Sequence, residues 1–255
     1  MEKSDPDWDT LLRSALQEGA VPQVSGGLWR VVESQSQVAT LALVDSLEEQ
    51  SVLEDLIEKS KPPQAAHTAG LHYLLATPFR YPPLKWGSRF GSRFQPSLFY
   101  GSMRINTALA EAAYYRLIFW RGMAEPPPSG RLVTRHDLFS ARYRACPGLK
   151  LQQAPFSVYR GILGARDRYK ETQQLGDMMR QRNILGFEFV SARCPENGIN
   201  VGLLDPAALV SKRPREVQHW ICETAAQTVT FRGESGMQRF SSAQFEDQGQ
   251  FPLPV

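Results

Sequence analysis

Cysteine is scarce in this chain: three in 255 residues, Cys146, Cys194 and Cys222. An odd count with no paired spacing excludes a disulfide framework and matches no zinc pattern. The four histidines, His67, His72, His136 and His219, lie far apart with no HExxH, so no metal site is expected. Long apolar runs are missing too, which leaves nothing to span a bilayer. The first residues, MEKSDPDWDT, lack the apolar core of a signal peptide. A reducing cytoplasm with free thiols is the expected setting. Nor is there an excess of one charge. Twenty-nine Lys and Arg against 26 Asp and Glu leave +3, which argues against direct nucleic-acid binding. Walker loops, dinucleotide fingerprints and GxSxG elbows are absent, and no repeat period is visible. Cys194 reads as a small buried side chain in preference to a nucleophile.

The elements that are present alternate in type. Asp7 can cap a helix over Trp8–Gln17 with Leu11, Leu12 and Leu16 on one face. Residues 29–42 read as a strand followed by a helix, or as helix throughout. From Ala39 to Lys59 leucines recur at helical spacing, Lys59 and Lys61 suit a C-terminus, and Pro62-Pro63 stops the helix. Residues 1–70 are accordingly read as an N-terminal helical extension, and 71–255 as the main domain. His67–Leu75 is a short helix or strand, and TPFRYPP is read as extended, because proline disfavours the α region for the residue before it. A strand at Ser97–Tyr100 leads into a helix through ALAEAAYYRLIFW. Strands follow at Arg131–Ala141, FEFVS and INVGLL, the last two joined by an Asn197-Gly198 turn. A helix covers Thr172–Gln181. Strands near Val217–Cys222 and Thr228–Phe231 precede a polar tail. This order predicts an α+β domain with a mixed or antiparallel sheet, in preference to a regular parallel winding.

The segment Thr77–Arg116 concentrates the chemistry. Arg80, Arg89 and Arg93 lie among Gly, Pro and aromatics including Tyr81, and forked guanidinium donors suit phosphate oxygens. The bland alternative is that they are surface arginines lying over rings. Tyr100, at a strand end, can stack on a base or sit in the core. Glu111 interrupts an apolar helix, so it is either paired, for instance with Arg116, or working. Ser191 can donate to a ligand or cap a turn.

Spacing adds information. Arg89 and Tyr100 are eleven residues apart, as are Tyr100 and Glu111, and GFEFVSAR…NGINVGLL follows much later. Arg80, Arg89, Tyr100, Glu111 and Ser191, in this order and spacing, resemble the RES-domain family, named for its Arg, Glu and Ser. The resemblance covers roughly residues 75–210. The chain has Arg89-Phe90-Gly91 where the family's usual run is Arg-Trp-Asn.

That resemblance implies a fold related to the diphtheria-toxin-type ADP-ribosyltransferases. It implies the toxin of a toxin–antitoxin pair, blocked by an antitoxin protein, that depletes NAD⁺ by hydrolysis or phosphorolysis. NAD⁺ would be the substrate, with water or inorganic phosphate as acceptor and no cofactor or metal. In this reading Arg80 and Arg89 hold the pyrophosphate, with Arg93 helping. Tyr81 joins the substrate site, Tyr100 stacks on nicotinamide or ribose, Glu111 stabilises the developing cation, and Ser191 orients Glu111 or bonds the ligand. A mono-ADP-ribosyltransferase acting on a macromolecule and a non-catalytic nucleotide-binding module are the alternatives. A homo-oligomer is compatible with either.

Overall fold

Local sequence fixes the helices. In α1 (Trp8–Gln17) the Asp7 carboxylate accepts the Thr10 backbone N–H at 3.1 Å, as a helix N-terminus requires. Its Trp8 and Leu12 are buried against α6 (Lys170–Gln181), which follows the short α5 (Arg160–Leu163), beside Leu175 and Met179. Asp9 of α1 also pairs with Arg182, just past the end of α6. The structure, a computed structural model, describes residues 6–17, 21–34, 43–83 and 86–253. The expected helical start at Ala39–Ala42 and the reading of residues 35–42 lie outside the described residues.

Among the described residues nine strands form one sheet in the order β4-β5-β6-β2-β1-β3-β7-β8-β9. They are β1 (Val24–Glu33), β2 (Phe99–Ser102), β3 (Leu132–Ala145), β4 (Gly148–Lys150), β5 (Gly186–Val190), β6 (Ile199–Leu203), β7 (Val217–Thr224), β8 (Thr228–Gly233) and β9 (Gly236–Ser241). Every pairing is antiparallel except β4 with β5, so the sheet is mixed and the α+β class holds.

The N-terminal segment differs from the expected appendage. Helices are present there, α1 and α2 (Leu47–Ser60), but β1 between them is the middle strand of the whole sheet. It pairs along its full length with β3, from Val24↔Ala145 to Glu33↔His136, and meets β2 at Trp29↔Ser102. Its Val24 and Leu28 are buried with Phe99, Phe139 and Leu203. Hydrogen-bond pairing on both sides of β1 thus ties Val24–Glu33 into the main sheet.

Helix α3 (Tyr73–Arg80) replaces the extended reading over Thr77–Arg80, whereas Tyr81 just after it is extended as expected. Pro78 sits inside it and forfeits one backbone hydrogen bond. Burying Leu75 and Phe79, four residues apart on one face, offsets that loss. Helix α4 (Ile105–Arg121) lays Leu109, Ala113 and Leu117 against Trp220, Val229, Phe231 and Phe240 of β7–β9. The tail expected after β8 instead contains β9 and a packed C-terminal segment. Among the described residues no helix is long and apolar enough to cross a membrane.

Candidate active site

Strand β2 ends where α4 begins, so Tyr100 and Glu111 are carried by consecutive elements. The loop before them is a tight reversal: Ser88 N–H donates to the Gly91 carbonyl at 2.7 Å, and Gly91 N–H returns to Ser88 at 3.3 Å. Gly87 at its start has φ +79°, and a Cβ there would stand 2.5 Å from the Gly91 carbonyl oxygen. Gln173 of α6 clamps this loop, its Nε2 donating to the carbonyls of Trp86 (3.1 Å) and Ser88 (3.0 Å). Gly176, one turn on, lets Phe90 pack directly on the helix backbone, since a Cβ would overlap the Phe90 carbonyl.

A cavity of about 520 Å³ opens between α3, β1, β2, α4 and the Ser88 loop, within the usual size of a small-molecule site. Glu111 lines it. Its Oε1 accepts two hydrogen bonds of 2.6 Å, from Ser191 Oγ and from Asn200 Nδ2. Asn200 is oriented in turn by Ser102, whose Oγ donates to Asn200 Oδ1 at 2.6 Å. Ser191 is 5% exposed, and its Oγ also accepts the backbone N–H of Arg193 (3.1 Å) and Cys194 (3.0 Å). Neutral donors therefore hold Glu111. The ion-pair alternative with Arg116 is not realised, because Arg116 pairs with Glu33 at 3.2 Å.

Tyr100 lines the cavity beside Glu111. Its hydroxyl lies 3.0 Å from Ser88 Oγ and accepts the Phe90 N–H at 3.2 Å. Burial raises its phenol above the ordinary value, against the lowering effect of the Ser88 bond. Arg89 reaches the cavity from the loop, 9% exposed. Its Nη1 donates to the carbonyls of Leu163 (3.1 Å) and Ala165 (2.6 Å), and its guanidinium lies 4.9 Å above the Tyr169 ring. Tyr81 stands at the mouth.

Two of the expected residues are elsewhere. Arg80 faces away from this cavity: its Nε donates to the Pro62 carbonyl at 2.6 Å, and its Nη1 pairs with Glu58 of α2 at 2.7 Å. The cause is the helical conformation of α3. Tyr73, Leu74, Thr77 and Pro78 turn to the large cavity, so Ala76 and Arg80, four residues apart, take the other side. Arg93 is also absent from the lining and lies against the exposed ring of Phe94, 5.6 Å from its centroid.

In their place the fold brings Arg30 of β1 and Arg193, which follows β5. Arg30 Nη1 donates to the Tyr100 carbonyl at 2.5 Å, while its Nε is buried with no partner among the described residues. Burial without a carboxylate pulls its guanidinium down to about 10. Arg193 is 3% exposed, lies 3.5 Å above the Tyr114 ring and leaves Nη1 buried without a partner among the described residues. Among the described residues neither arginine makes an ion pair. Both had a legible sign. Arg30 is a cation inside the apolar run LWRVV, and Arg193 stands two residues after Ser191. Asn200 and Ser102 carried none.

The site thus presents a fixed carboxylate, stacking aromatics and three guanidinium groups, two of them with an unsatisfied buried nitrogen. A buried unpaired cation is costly, and an anionic ligand relieves that cost. Among the described residues no group of three or more His, Cys, Asp or Glu side chains is placed to hold a metal ion. A family model described as RES domain matches residues 62–225, about two thirds of the chain. No curated protein gives a significant match.

Proposed function

As the chain belongs to the RES-domain family, we propose that it is an enzyme that cleaves the nicotinamide–ribose bond of NAD⁺. The observation that carries this reading is Glu111, a carboxylate fixed by Ser191 and Asn200 at the wall of an arginine-lined cavity. The N-glycosidic bond breaks with its electron pair leaving on nicotinamide, and the ribose carbon acquires oxocarbenium character. Glu111 stabilises that charge. Its orientation is set before substrate arrives, so little reorganisation is needed in the transition state.

Arg30, Arg89 and Arg193 bind the diphosphate, with Arg30 taking the part that the sequence suggested for Arg80. Tyr100 packs against nicotinamide or the adjoining ribose, and Tyr81 closes the mouth. Water attacking the ribose carbon yields ADP-ribose and releases a proton. Inorganic phosphate attacking it yields ADP-ribose-1″-phosphate. The family resemblance further supports a toxin held in check by an antitoxin protein.

The test is incubation of the purified protein with NAD⁺, with and without phosphate, followed by product identification and by mass spectrometry of added protein. Free nicotinamide with either ADP-ribose product is expected, and Glu111→Gln should slow its appearance by about a hundredfold or more. Modified protein would point to ADP-ribosyl transfer instead. Consumption by Glu111→Gln at the wild-type rate would sink the reading.

A further inference from the structure

Residues after β9 form a strap rather than a loose end. A short 3₁₀ turn at Ser242–Gln244 is closed by a reciprocal capping box between Ser241 and Gln244, and Phe245 follows, fully buried. Asp247 and Gln250 then exchange both backbone hydrogen bonds, at 2.8 and 2.9 Å, across Gln248 (φ +48°) and Gly249 (φ +75°). Two consecutive positive φ values make a tight reversal, which turns the chain back toward α4. It delivers Phe251 onto Tyr114 of α4, with ring centroids 5.3 Å apart and planes at 14°. Tyr114 Oη donates to the Pro252 carbonyl at 2.6 Å. Arg121 lies 3.9 Å from the Phe251 ring centroid and so holds it from the helix side.

Two separate routes lead from this strap to the cavity, and both end on Arg193. In the first, Phe251 and Pro252 fix the Tyr114 ring, and the Arg193 guanidinium lies 3.5 Å over that ring. In the second, the carbonyls of Phe245 (3.2 Å) and Glu246 (2.9 Å) accept from Arg166 Nη1, and the Arg166 backbone carbonyl accepts from Arg193 Nη2. Arg193 has no ion pair among the described residues, and its Nη1 is left open.

We propose that the C-terminal strap, Phe245–Pro252, is a positioning device that holds Arg193 aimed into the cavity for an anionic substrate group. The strap lies outside residues 62–225, so it adds to the matched domain a support drawn from this chain's own C-terminal segment. Phe251, Tyr114 and Arg166 are positioning residues, and Arg193 is the group that meets the ligand. The inference rests on the anion-binding role given to Arg193 above.

The test is a double-mutant cycle between Phe251→Ala and Arg193→Lys, read as KM and kcat for NAD⁺, with thermal midpoints recorded alongside. If Phe251 acts through Arg193, each single variant raises KM roughly tenfold with kcat nearly unchanged. The double variant is then no worse than Arg193→Lys alone, and Phe251→Tyr restores KM. Multiplying effects, or a lowered midpoint with unchanged KM, would overturn the proposal. Should Phe251→Ala fail to fold, Tyr114→Phe, which loses only the link to Pro252, is read in the same way. If wild type leaves NAD⁺ intact, the proposed function has failed, and the cycle is read from the Kd of inorganic pyrophosphate. Coupling there upholds the strap. Independent effects, or pyrophosphate that does not bind wild type, overturn it.

Discussion

Ser191 Oγ stands 2.6 Å from Glu111 Oε1 and simultaneously accepts the backbone N–H groups of Arg193 and Cys194. With two donors pointing at its oxygen, the hydroxyl hydrogen is directed at the carboxylate. Ser191 therefore does two things: it orients Glu111, and it closes the turn that carries Arg193. Replacing Ser191 by Ala leaves two buried N–H groups without this acceptor, which should cost about 1–3 kcal/mol of stability. NAD⁺ cleavage should fall by about tenfold or more, because Glu111 loses one of its two holders. Ser191→Thr keeps the hydroxyl and should recover part of both. Urea midpoints and initial rates on the same samples check this.

Asn200 is the other holder, and its effect is separable by charge. Asn200→Asp puts a second carboxylate within 2.6 Å of Glu111. Two carboxylates at that distance cannot both ionise easily, so one proton is retained to higher pH. If ionised Glu111 is needed, the acid limb of the kcat profile should move up by about 1–3 pH units. Activity at pH 6 should fall far more than activity at pH 9. A profile that drops uniformly at all pH values would mean that Asn200 acts only through shape.

Arg30 and Arg80 make opposite predictions from the same residue type. Arg30 lines the cavity with Nε unpartnered among the described residues, while Arg80 is bound to Glu58 and the Pro62 carbonyl on the far side of α3. Arg30→Ala should raise KM for NAD⁺ by about 10–100-fold, the loss expected for a charge-assisted contact. Arg80→Ala should leave KM within about threefold and lower the thermal midpoint slightly, as a partly exposed pair allows. If the two results were exchanged, the placement of α3 relative to the cavity would have to change.

The contrast between these arginines shows what the sequence carried. Arg89, Tyr100 and Glu111 were legible because a charged or aromatic side chain in a Gly-rich loop, strand end or apolar helix is conspicuous locally. Ser191 became legible only through its order and spacing relative to them. Arg80 looked equivalent, yet its direction depends on whether the TPFR of TPFRYPP is helical. That was decided by burial of Leu75 and Phe79, which local proline rules do not report. β1 was ambiguous for a similar reason. Its hydrophobic pattern fits strand or helix, and only the partners β2 and β3, at least some seventy residues away, make it a central strand. Asn200 and Ser102 are ordinary polar residues in strands. Nothing short of register, which sets Ser102 opposite Asn200, brings them behind Glu111.

His136 makes stability depend on pH in a direction that can be worked out. It lies on β3, 5% exposed, beneath Phe231 and next to the buried Arg116. Burial first, and the Arg116 charge second, lower its imidazole from 6.5 to about 4, with Asp137 and the Val32 backbone opposing. In the unfolded chain the ring titrates near its ordinary value, so between about pH 6.5 and 4 the unfolded state takes up a proton that the folded state refuses. The stabilising contribution is complete above about pH 6.5 and is lost as pH falls toward 4, by roughly 3 kcal/mol at most. Urea midpoints measured from pH 7.5 to 4 should therefore decline more steeply for wild type than for His136→Gln, which cannot titrate. Comparing the two curves removes the contribution of the remaining carboxylates and of the pair between exposed His219 and buried Asp137, which are common to both. Parallel curves for the two proteins would mean that the ring is accessible to protons in the folded state and that β3 is not packed against Phe231 as described.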